Sequence, residues 1–177
     1  EDRFREGVSH YLRSHAYANT ETNDLWDAIE ATSGEPVRRI MDTWIWQPGY
    51  PLVTASLVDG SLRLGQRRFR FDADGTGPGE QLWAIPIQVR NGGITTTVLL
   101  DGPETTTAIV EPDGPVVVNA GGSGYYRVDY DGTLRHRLDV AALADLTTLE
   151  RYNLVDDAWA ATIAGRLAAS ELLVMLE

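Results

Sequence analysis

The stretch Trp44-Ile45-Trp46-Gln47-Pro48-Gly49-Tyr50-Pro51-Leu52-Val53-Thr54 divides the chain into two architectures. Before it, apolar residues recur at helical spacing, and after it they alternate as they do in strands. Pro48 and Pro51 lack the backbone donor that a helix needs, and Gly49 has no side chain to restrain its backbone. A helix therefore ends within this stretch and an extended segment begins.

Residues 1–49 predict three short helices. Thr22 or Asn23 is expected to cap the second helix. Gly34 is expected to end it, and Pro36 to lie in the first turn of the third. The apolar faces are expected to bury Phe4, Val8, Tyr11, Leu12 and His15 in the first helix, Leu25, Trp26 and Ile29 in the second, and Val37, Ile40, Met41, Trp44 and Ile45 in the third. Because three short helices make a poor core, we expect them to pack on another part of a protein.

Residues 50–132 predict strands. The β-rich runs are Leu52–Val58, Ser61–Leu64, Arg67–Phe71, Leu82–Val89, Ile94–Leu100, Thr105–Val110, Val116–Asn119 and Tyr125–Tyr130. Turn dipeptides separate them: Asp59-Gly60, Asp74-Gly75, Asn91-Gly92, Asp101-Gly102, Asp113-Gly114 and Asp131-Gly132. This regular punctuation indicates an antiparallel sandwich or barrel. Pro86 cannot donate to a ladder, so its strand is expected at an edge or a bulge.

Residues 133–177 return to a helical pattern. Thr147 and Glu150 have capping-box spacing before a helix, which Gly165 is expected to end, and Ser170 is expected to start another. The helically spaced apolar positions are Leu134, Leu138, Ala141, Ala142 and Leu146, then Leu154, Val155, Ala158, Trp159 and Ile163. The predicted fold class is α+β, an antiparallel β-sandwich at 50–132 flanked by helical segments at 1–49 and 133–177.

Composition argues against several kinds of partner. The net charge of −11 disfavours binding to a nucleic acid backbone, which requires clustered cations. The chain has no cysteine, so disulfides and thiolate zinc sites are absent, and its apolar runs are too short to cross a bilayer. We therefore expect no nucleic acid partner and no membrane.

Four features resemble sites but fit simpler interpretations. His10 and His15 lie about 140° apart around a helix and His136 is distant in sequence, so no metal site is predicted from them. Asp72-Ala73-Asp74-Gly75-Thr76-Gly77 begins like a calcium loop, but the twelfth position is Trp83 instead of Glu. Gly121-Gly122-Ser123-Gly124 lacks the order of a phosphate loop or a nucleophile elbow, which favours a flexible turn. The tryptophans Trp26, Trp44 and Trp159 are expected in cores, whereas Trp46 and Trp83 stay open as an aromatic binding platform.

Four blocks in order resemble the M1 family of zinc aminopeptidases. They are Phe4–Leu12 with His15–Trp26, Met41–Trp44 running to Tyr50-Pro51, Gly124–Tyr130 and Leu154–Trp159. The resemblance implies that residues 1–49 end a thermolysin-like catalytic domain, 50–132 form the β-sandwich domain and 133–177 begin the helical C-terminal domain. It implies a parent metallopeptidase of the cytoplasm that needs zinc and hydrolyses N-terminal residues from peptides.

The resemblance transfers no catalytic, cofactor-binding or metal-binding residue to this chain. No His-Glu-x-x-His run occurs in it, so we expect a structural segment that is inactive by itself and packs on the catalytic and C-terminal helical domains. Isolated, it is expected to self-associate through the apolar helices of residues 1–49 or to have a mobile N-terminal region. The alternatives are a self-standing β-sandwich binding module and, more remotely, an independent hydrolase.

Overall fold

A computed structural model describes residues 2–72, 81–138 and 140–175. These residues fall into two compact units, Glu1–Pro48 and Gly49–Glu177. The division lies between Pro48 and Gly49, inside the stretch where helical periodicity ends. Within the described ranges, no helix is both long and apolar enough to cross a membrane.

The described residues of the first unit form three helices, α1 (Asp2–Ser14), α2 (Thr22–Ser33) and α3 (Val37–Ile45). Gly7 is the buried residue of α1, and a Cβ added there would lie 2.8 Å from the Cα of Ile29 in α2. The two helix backbones therefore approach closely at this glycine. The expected burial is incomplete, since Phe4, Leu12 and Ile45 are exposed and the remaining apolar residues of α3 are only half-buried.

Two of the predicted helix boundaries in this unit need correction. The N-cap of α2 is Glu21 rather than Thr22 or Asn23, because the Asp24 carboxylate accepts the Glu21 backbone N–H at 2.8 Å. Pro36 lies one position earlier than predicted, at the N-cap of α3. The predicted stop at Gly34 is confirmed, with a left-handed φ of 73° that glycine adopts without strain.

Seven strands lie in the described residues of the second unit. They are β1 (Pro51–Val58), β2 (Ser61–Arg68), β3 (Ile85–Asn91), β4 (Ile94–Leu100), β5 (Glu104–Ala108), β6 (Val116–Val118) and β7 (Arg127–Tyr130). One sheet has the order β5-β2-β1-β7 and the other β4-β3-β6. Both sheets contribute fully buried side chains to the core, among them Val53, Leu62, Leu64, Ile85, Ile87, Leu100 and Val116. The α+β class with two small sheets and flanking helices is confirmed.

One strand pair departs from the antiparallel prediction. β1 and β7 run parallel, with Leu52 opposite Arg127 and Ala55 opposite Tyr130. Alternation of apolar residues sets which face of a strand is buried and carries no information on the direction of its neighbour. The parallel pair could not be foreseen from the pattern.

The placement of Pro86 was predicted wrongly, since β3 is the central strand of its sheet. The tight turn Gly92-Gly93, with φ of 58° and 74°, joins β3 to β4 and makes the Asn91–Ile94 pair the first hydrogen-bonded pair. Hydrogen-bonded and non-hydrogen-bonded pairs alternate along the two strands. By this alternation the pair of Pro86 is not hydrogen-bonded, so the backbone of Pro86 points away from β4 and towards the side of β6. β6 pairs only with residues 89–91, so the missing donor of Pro86 faces no strand partner.

After β7, the described residues form four helices: α4 (Gly132–His136), α5 (Val140–Ala144), α6 (Thr148–Ile163) and α7 (Ala169–Met175). The capping box is confirmed, with Thr147 at the N-cap of α6 and Glu150 bonded back to its N–H at 2.8 Å. Gly165 follows the end of α6 with a φ of 70°, as predicted.

The buried face of α6 differs from the prediction. Ala158, Ala160 and Ala161 are buried, and Ala160 packs on Leu52 and Phe69 of the four-stranded sheet region. Trp159 is 55% exposed and belongs to an exposed apolar stripe that runs along the helix: Tyr152, Val155, Trp159 and Ile163. Apolar residues occupy two faces of α6, and helical spacing alone cannot tell which face the rest of the chain covers.

Candidate functional site

A charged joint connects β7 to α6. The Arg127 guanidinium lies 2.7 Å from the Asp156 carboxylate and 3.1 Å from that of Asp157. It also donates to the Asp156 carbonyl at 3.1 Å and, through Nε, to the Tyr50 hydroxyl at 3.3 Å. One strand residue therefore ties the first residues after the helical unit to the middle of α6.

The Asp157 carboxylate ties the helix to the strand backbone. Its Oδ2 accepts the Val128 N–H at 2.9 Å, while Oδ1 meets Arg127, and the side chain is 10% exposed. Burial raises the pKa of Asp157 to about 7, and the Val128 and Arg127 hydrogen bonds oppose that rise without cancelling it. Although burial opposes it, the hydrogen bonds to Tyr50 and Asp156 raise the pKa of Arg127, which stays charged.

An open cavity of about 300 Å³ borders this joint. Aromatic rings surround it: Tyr50 stacks on Phe69 at 5.2 Å and contacts Tyr125 at 5.6 Å. The guanidinium groups of Arg127 and Arg166 both lie about 5 Å from the centre of the Phe69 ring. The residues that line the cavity are Tyr50, Gly124, Tyr125, Tyr126, Arg127, Asn153, Asp156 and Asp157.

The glycine-rich turn between β6 and β7 is held by side chains on both sides. Asn119 exchanges two hydrogen bonds with the backbone of Gly124, and Asn153 donates to the Gly122 carbonyl at 3.0 Å. A Cβ added at Gly122 would lie 2.6 Å from Cγ of Leu149, so only glycine allows α6 to pack this closely. The predicted turn is present, fixed by α6 at Gly122 and by Glu150, which accepts the Gly121 N–H at 2.7 Å.

Glu150 is the most enclosed carboxylate of this region, with 1% of its side chain exposed. Arg90 of β3 binds it with two hydrogen bonds, at 2.7 and 3.1 Å. Burial alone would raise the pKa of Glu150, but the hydrogen bonds from Arg90, Gly121 and Thr147 outweigh it and lower the pKa to about 2. Glu150 therefore joins the second sheet, the glycine-rich turn and the start of α6.

The other residues considered for sites lie apart. His15 has one acidic neighbour, Asp24, at 3.9 Å, whereas His136 contacts the Gly132 carbonyl of its own helix. Of the calcium-like segment, residues 73–77 lie outside the described residues, and Asp72 pairs with Arg70 at 3.0 Å. Across residues 2–72, 81–138 and 140–175, no group of three or more His, Asp or Glu side chains could hold a metal ion. The prediction that the chain carries no catalytic or metal residue stays a prediction.

Trp83 is not part of a binding platform, because it is completely buried. Its backbone N–H and carbonyl both bond to the side-chain amide of Gln66, at 2.8 Å each. Trp46 is exposed on the first unit. The contacts centred on Arg127 and those centred on Glu150 were not predicted. Three segments that take part in them had been singled out for other reasons: the Gly124–Tyr130 block, the Leu154–Trp159 block and the capping box.

The first and last parts of the chain each match the profile of a known protein domain. The profile of the peptidase family M1 domain matches residues 1–44, and that of the ERAP1-like C-terminal domain matches residues 115–177. The chain belongs to the M1 peptidase family. The joint of Arg127 with Asp156 and Asp157 is thus a contact within the residues that match the profile of the ERAP1-like C-terminal domain.

Relatives of this M1 chain come from archaea, plants and bacteria. It is 36% identical to the tricorn protease-interacting factor F2 of Thermoplasma acidophilum over 99% of the chain, and 34% identical to aminopeptidase M1 of Arabidopsis thaliana over 97%. Over the full length of this chain, it is 31% identical to aminopeptidase N of Lactococcus lactis. In each case the match covers 21% of the relative, so the chain spans about a fifth of the length of these relatives.

Raising the pH from about 4 to about 7 is expected to destabilise the fold through Asp157. The unfolded carboxyl titrates near 3.8 and the folded one at about 7, so in this window the unfolded state binds fewer protons. The contribution of Asp157 is fully present below the unfolded pKa and falls by at most about 4 kcal/mol as pH passes the folded pKa.

Asp157→Asn should flatten this dependence, since the amide oxygen still accepts the Val128 N–H but does not titrate. Urea unfolding at a series of pH values measures the effect in both proteins. Glu150 acts in the opposite direction, but its contribution is lost only as the pH falls from about 4.5 towards 2, which overlaps the window only at its lower edge. An identical pH slope in the wild type and the variant would contradict the assignment.

Proposed function

We propose that this chain is the structural junction of a zinc aminopeptidase, between the end of its catalytic domain and the start of its helical C-terminal domain. The parent would hydrolyse N-terminal residues from peptides in the cytoplasm, and the junction itself would be inactive. The names of two relatives, aminopeptidase M1 and aminopeptidase N, support the parent activity. The profile matches at the two ends of the chain support the position between domains.

The observation that carries the structural role is the joint around Arg127. It brings together two of the blocks that resemble the family, Gly124–Tyr130 and Leu154–Trp159, through an ion pair and a bond to the strand backbone. The polar groups of this joint bond mainly to one another, as expected of side chains that fix a helix on a sheet. This fits a segment that holds neighbouring parts in place.

Zinc belongs to the proposed parent and does not fit the residues of this chain. Structural and catalytic zinc sites need three or four converging nitrogen, sulfur or carboxylate ligands. The chain has no cysteine, and among the residues that the structure describes, the one acidic side chain beside His15 is Asp24, at 3.9 Å. We assign no step of the peptidase reaction to this chain.

The exposed apolar faces support intramolecular packing in the parent. The stripe Tyr152, Val155, Trp159 and Ile163 on α6 is unusually apolar for a surface that faces water, and Phe4 and Leu12 of α1 are likewise exposed. We propose that the α6 stripe packs on further C-terminal helices and the α1 face on the catalytic domain. The peptide substrate would contact only other parts of the parent.

At a pH above about 7, where Asp157 is charged, Arg127→Ala is expected to lower the free energy of unfolding of the chain by about 2–4 kcal/mol, because it leaves the Asp157 carboxylate buried without its cation. Arg151→Ala, which removes an exposed arginine of α6, is the matched control and should have little effect. Urea denaturation measures both variants.

The same two variants in the intact aminopeptidase test the function. For Arg127→Ala we expect lower thermal stability, with the zinc content and the KM for a small aminoacyl substrate unchanged. A raised KM at unchanged stability would place Arg127 in the substrate site and overturn the structural role.

A further inference from the structure

The outer edge of β4 offers unpaired backbone groups. β4 is the terminal strand of its sheet, and the Asn91–Ile94 pair that closes the tight turn sets the ladder alternation. Residues 94, 96, 98 and 100 therefore bond to β3, while the backbone N–H and C=O of Thr95, Thr97 and Leu99 point outward. Among the described residues these outward groups have no hydrogen-bond partner.

β4 also lacks the devices that normally protect a sheet edge. Natural edges are short, charged, interrupted by proline or covered, because an open edge is a template for another strand. β6 has three residues, and β7 is tied to α6 by Arg127. β5 has five residues and begins with Glu104. β4 has seven uncharged residues, Ile94-Thr95-Thr96-Thr97-Val98-Leu99-Leu100, most of them exposed and with high strand propensity.

We propose that β4 is the contact through which two copies of this chain associate, edge to edge. The strands pair antiparallel about a twofold axis at Thr97. Thr97 then faces its own copy, and Thr95 faces Leu99 of the other copy. Because all three residues direct their N–H and C=O outward, every outward group of one strand meets its complement on the other. A second copy fits this edge since an isologous contact needs only one self-complementary surface.

The charge distribution and the area of this contact set its strength. The strand itself is uncharged, so the pairing brings no like charges directly opposite each other. Each copy nevertheless carries a net charge of −11, and the long-range repulsion is screened by salt. A single strand edge buries less than the roughly 1,600 Å² of a standard interface. We therefore expect a weak dimer that strengthens with ionic strength.

Sedimentation equilibrium of the full chain over a range of concentration and salt tests the proposal. The wild type should form a dimer, and Thr97→Lys should weaken it by at least about tenfold, because each copy would bring a cation to the axis. Thr106→Lys makes the same change at an exposed threonine of β5, another edge strand, and should leave the dimer intact. Circular dichroism establishes that both variants are folded.

A second variant separates backbone pairing from charge. Thr95→Pro removes one outward N–H without removing a bond to β3, and should also weaken the dimer. Hydrogen exchange of the wild type at high concentration should slow at the amides of Thr95, Thr97 and Leu99. A monomer at all concentrations would overturn the proposal. So would a dimer that survives Thr97→Lys but is lost in Trp159→Arg, which would locate the contact on the apolar stripe of α6.

Discussion

Replacing Arg90 by alanine is expected to lower the free energy of unfolding by about 3–5 kcal/mol, one of the two largest effects that we predict. Arg90 is the cation that compensates the buried Glu150 carboxylate, at 2.7 and 3.1 Å. Without it the carboxylate keeps two backbone N–H groups, from Gly121 and Thr147, and no opposite charge. The helix start and the glycine-rich turn would keep their bonds to Glu150, but the second sheet would lose its bond to both.

Chemical denaturation of the wild type and Arg90→Ala measures this effect. Arg70→Ala is the control, since it breaks an ion pair with the exposed Asp72 and should change stability little. The double variant Arg90→Ala with Glu150→Gln should recover part of the loss, because the neutral amide costs less to bury. If the double variant were no more stable than Arg90→Ala, the loss would come from packing rather than from an uncompensated charge.

Trp83→Ala is expected to cost about 3–5 kcal/mol as well, for a different reason. Trp83 is among the largest of the fully buried side chains, and its removal leaves a cavity that the two sheets cannot fill. Trp159→Ala removes the same side chain from an exposed position on α6 and should cost much less.

Thermal and urea unfolding of the two tryptophan variants give a matched comparison. Tryptophan fluorescence adds a second measurement, since Trp83 should emit as a buried indole and Trp159 as a hydrated one. Equal losses in stability would mean that the α6 stripe is covered in solution, for example by a second copy. Repeating the measurement at several chain concentrations would then distinguish self-association from packing within one chain.

Local signals predicted most of the strands, although the predicted runs Ser61–Leu64 and Arg67–Phe71 are one strand, β2, which ends at Arg68. The Asp59-Gly60 turn has the positive φ angles that such dipeptides favour, and the run Ile94–Leu100 is β4 without change. The turn predicted at Asn91-Gly92 forms one residue later, at Gly92-Gly93, because Asn91 is the last residue of β3. The capping box at Thr147 was found from spacing alone, because both of its partners lie within one helical turn. Features that depend only on residues close together in the sequence could therefore be predicted from the sequence.

Contacts between distant segments could not be read in the same way. The capping-box spacing identified Glu150 but could not show that Arg90, on another strand, completes its environment. The blocks containing Arg127 and Asp157 were noticed as family patterns, and only the fold brings them within 3.1 Å. Trp159 was assigned to a core because helical spacing defines a face but does not say what covers it.

The parallel pairing of β1 with β7 constrains the order in which the second unit can be completed during synthesis. β1 and β2 form a hairpin as soon as both have left the ribosome, since they are neighbours in sequence. The other side of β1 must wait until the whole three-stranded sheet has been made and Arg127–Tyr130 has followed. Contacts between strands so far apart in the chain close slowly and late. Until then, a nascent chain would present the unpaired side of Leu52–Ala55 to any holding chaperone, and release would come only with the arrival of β7.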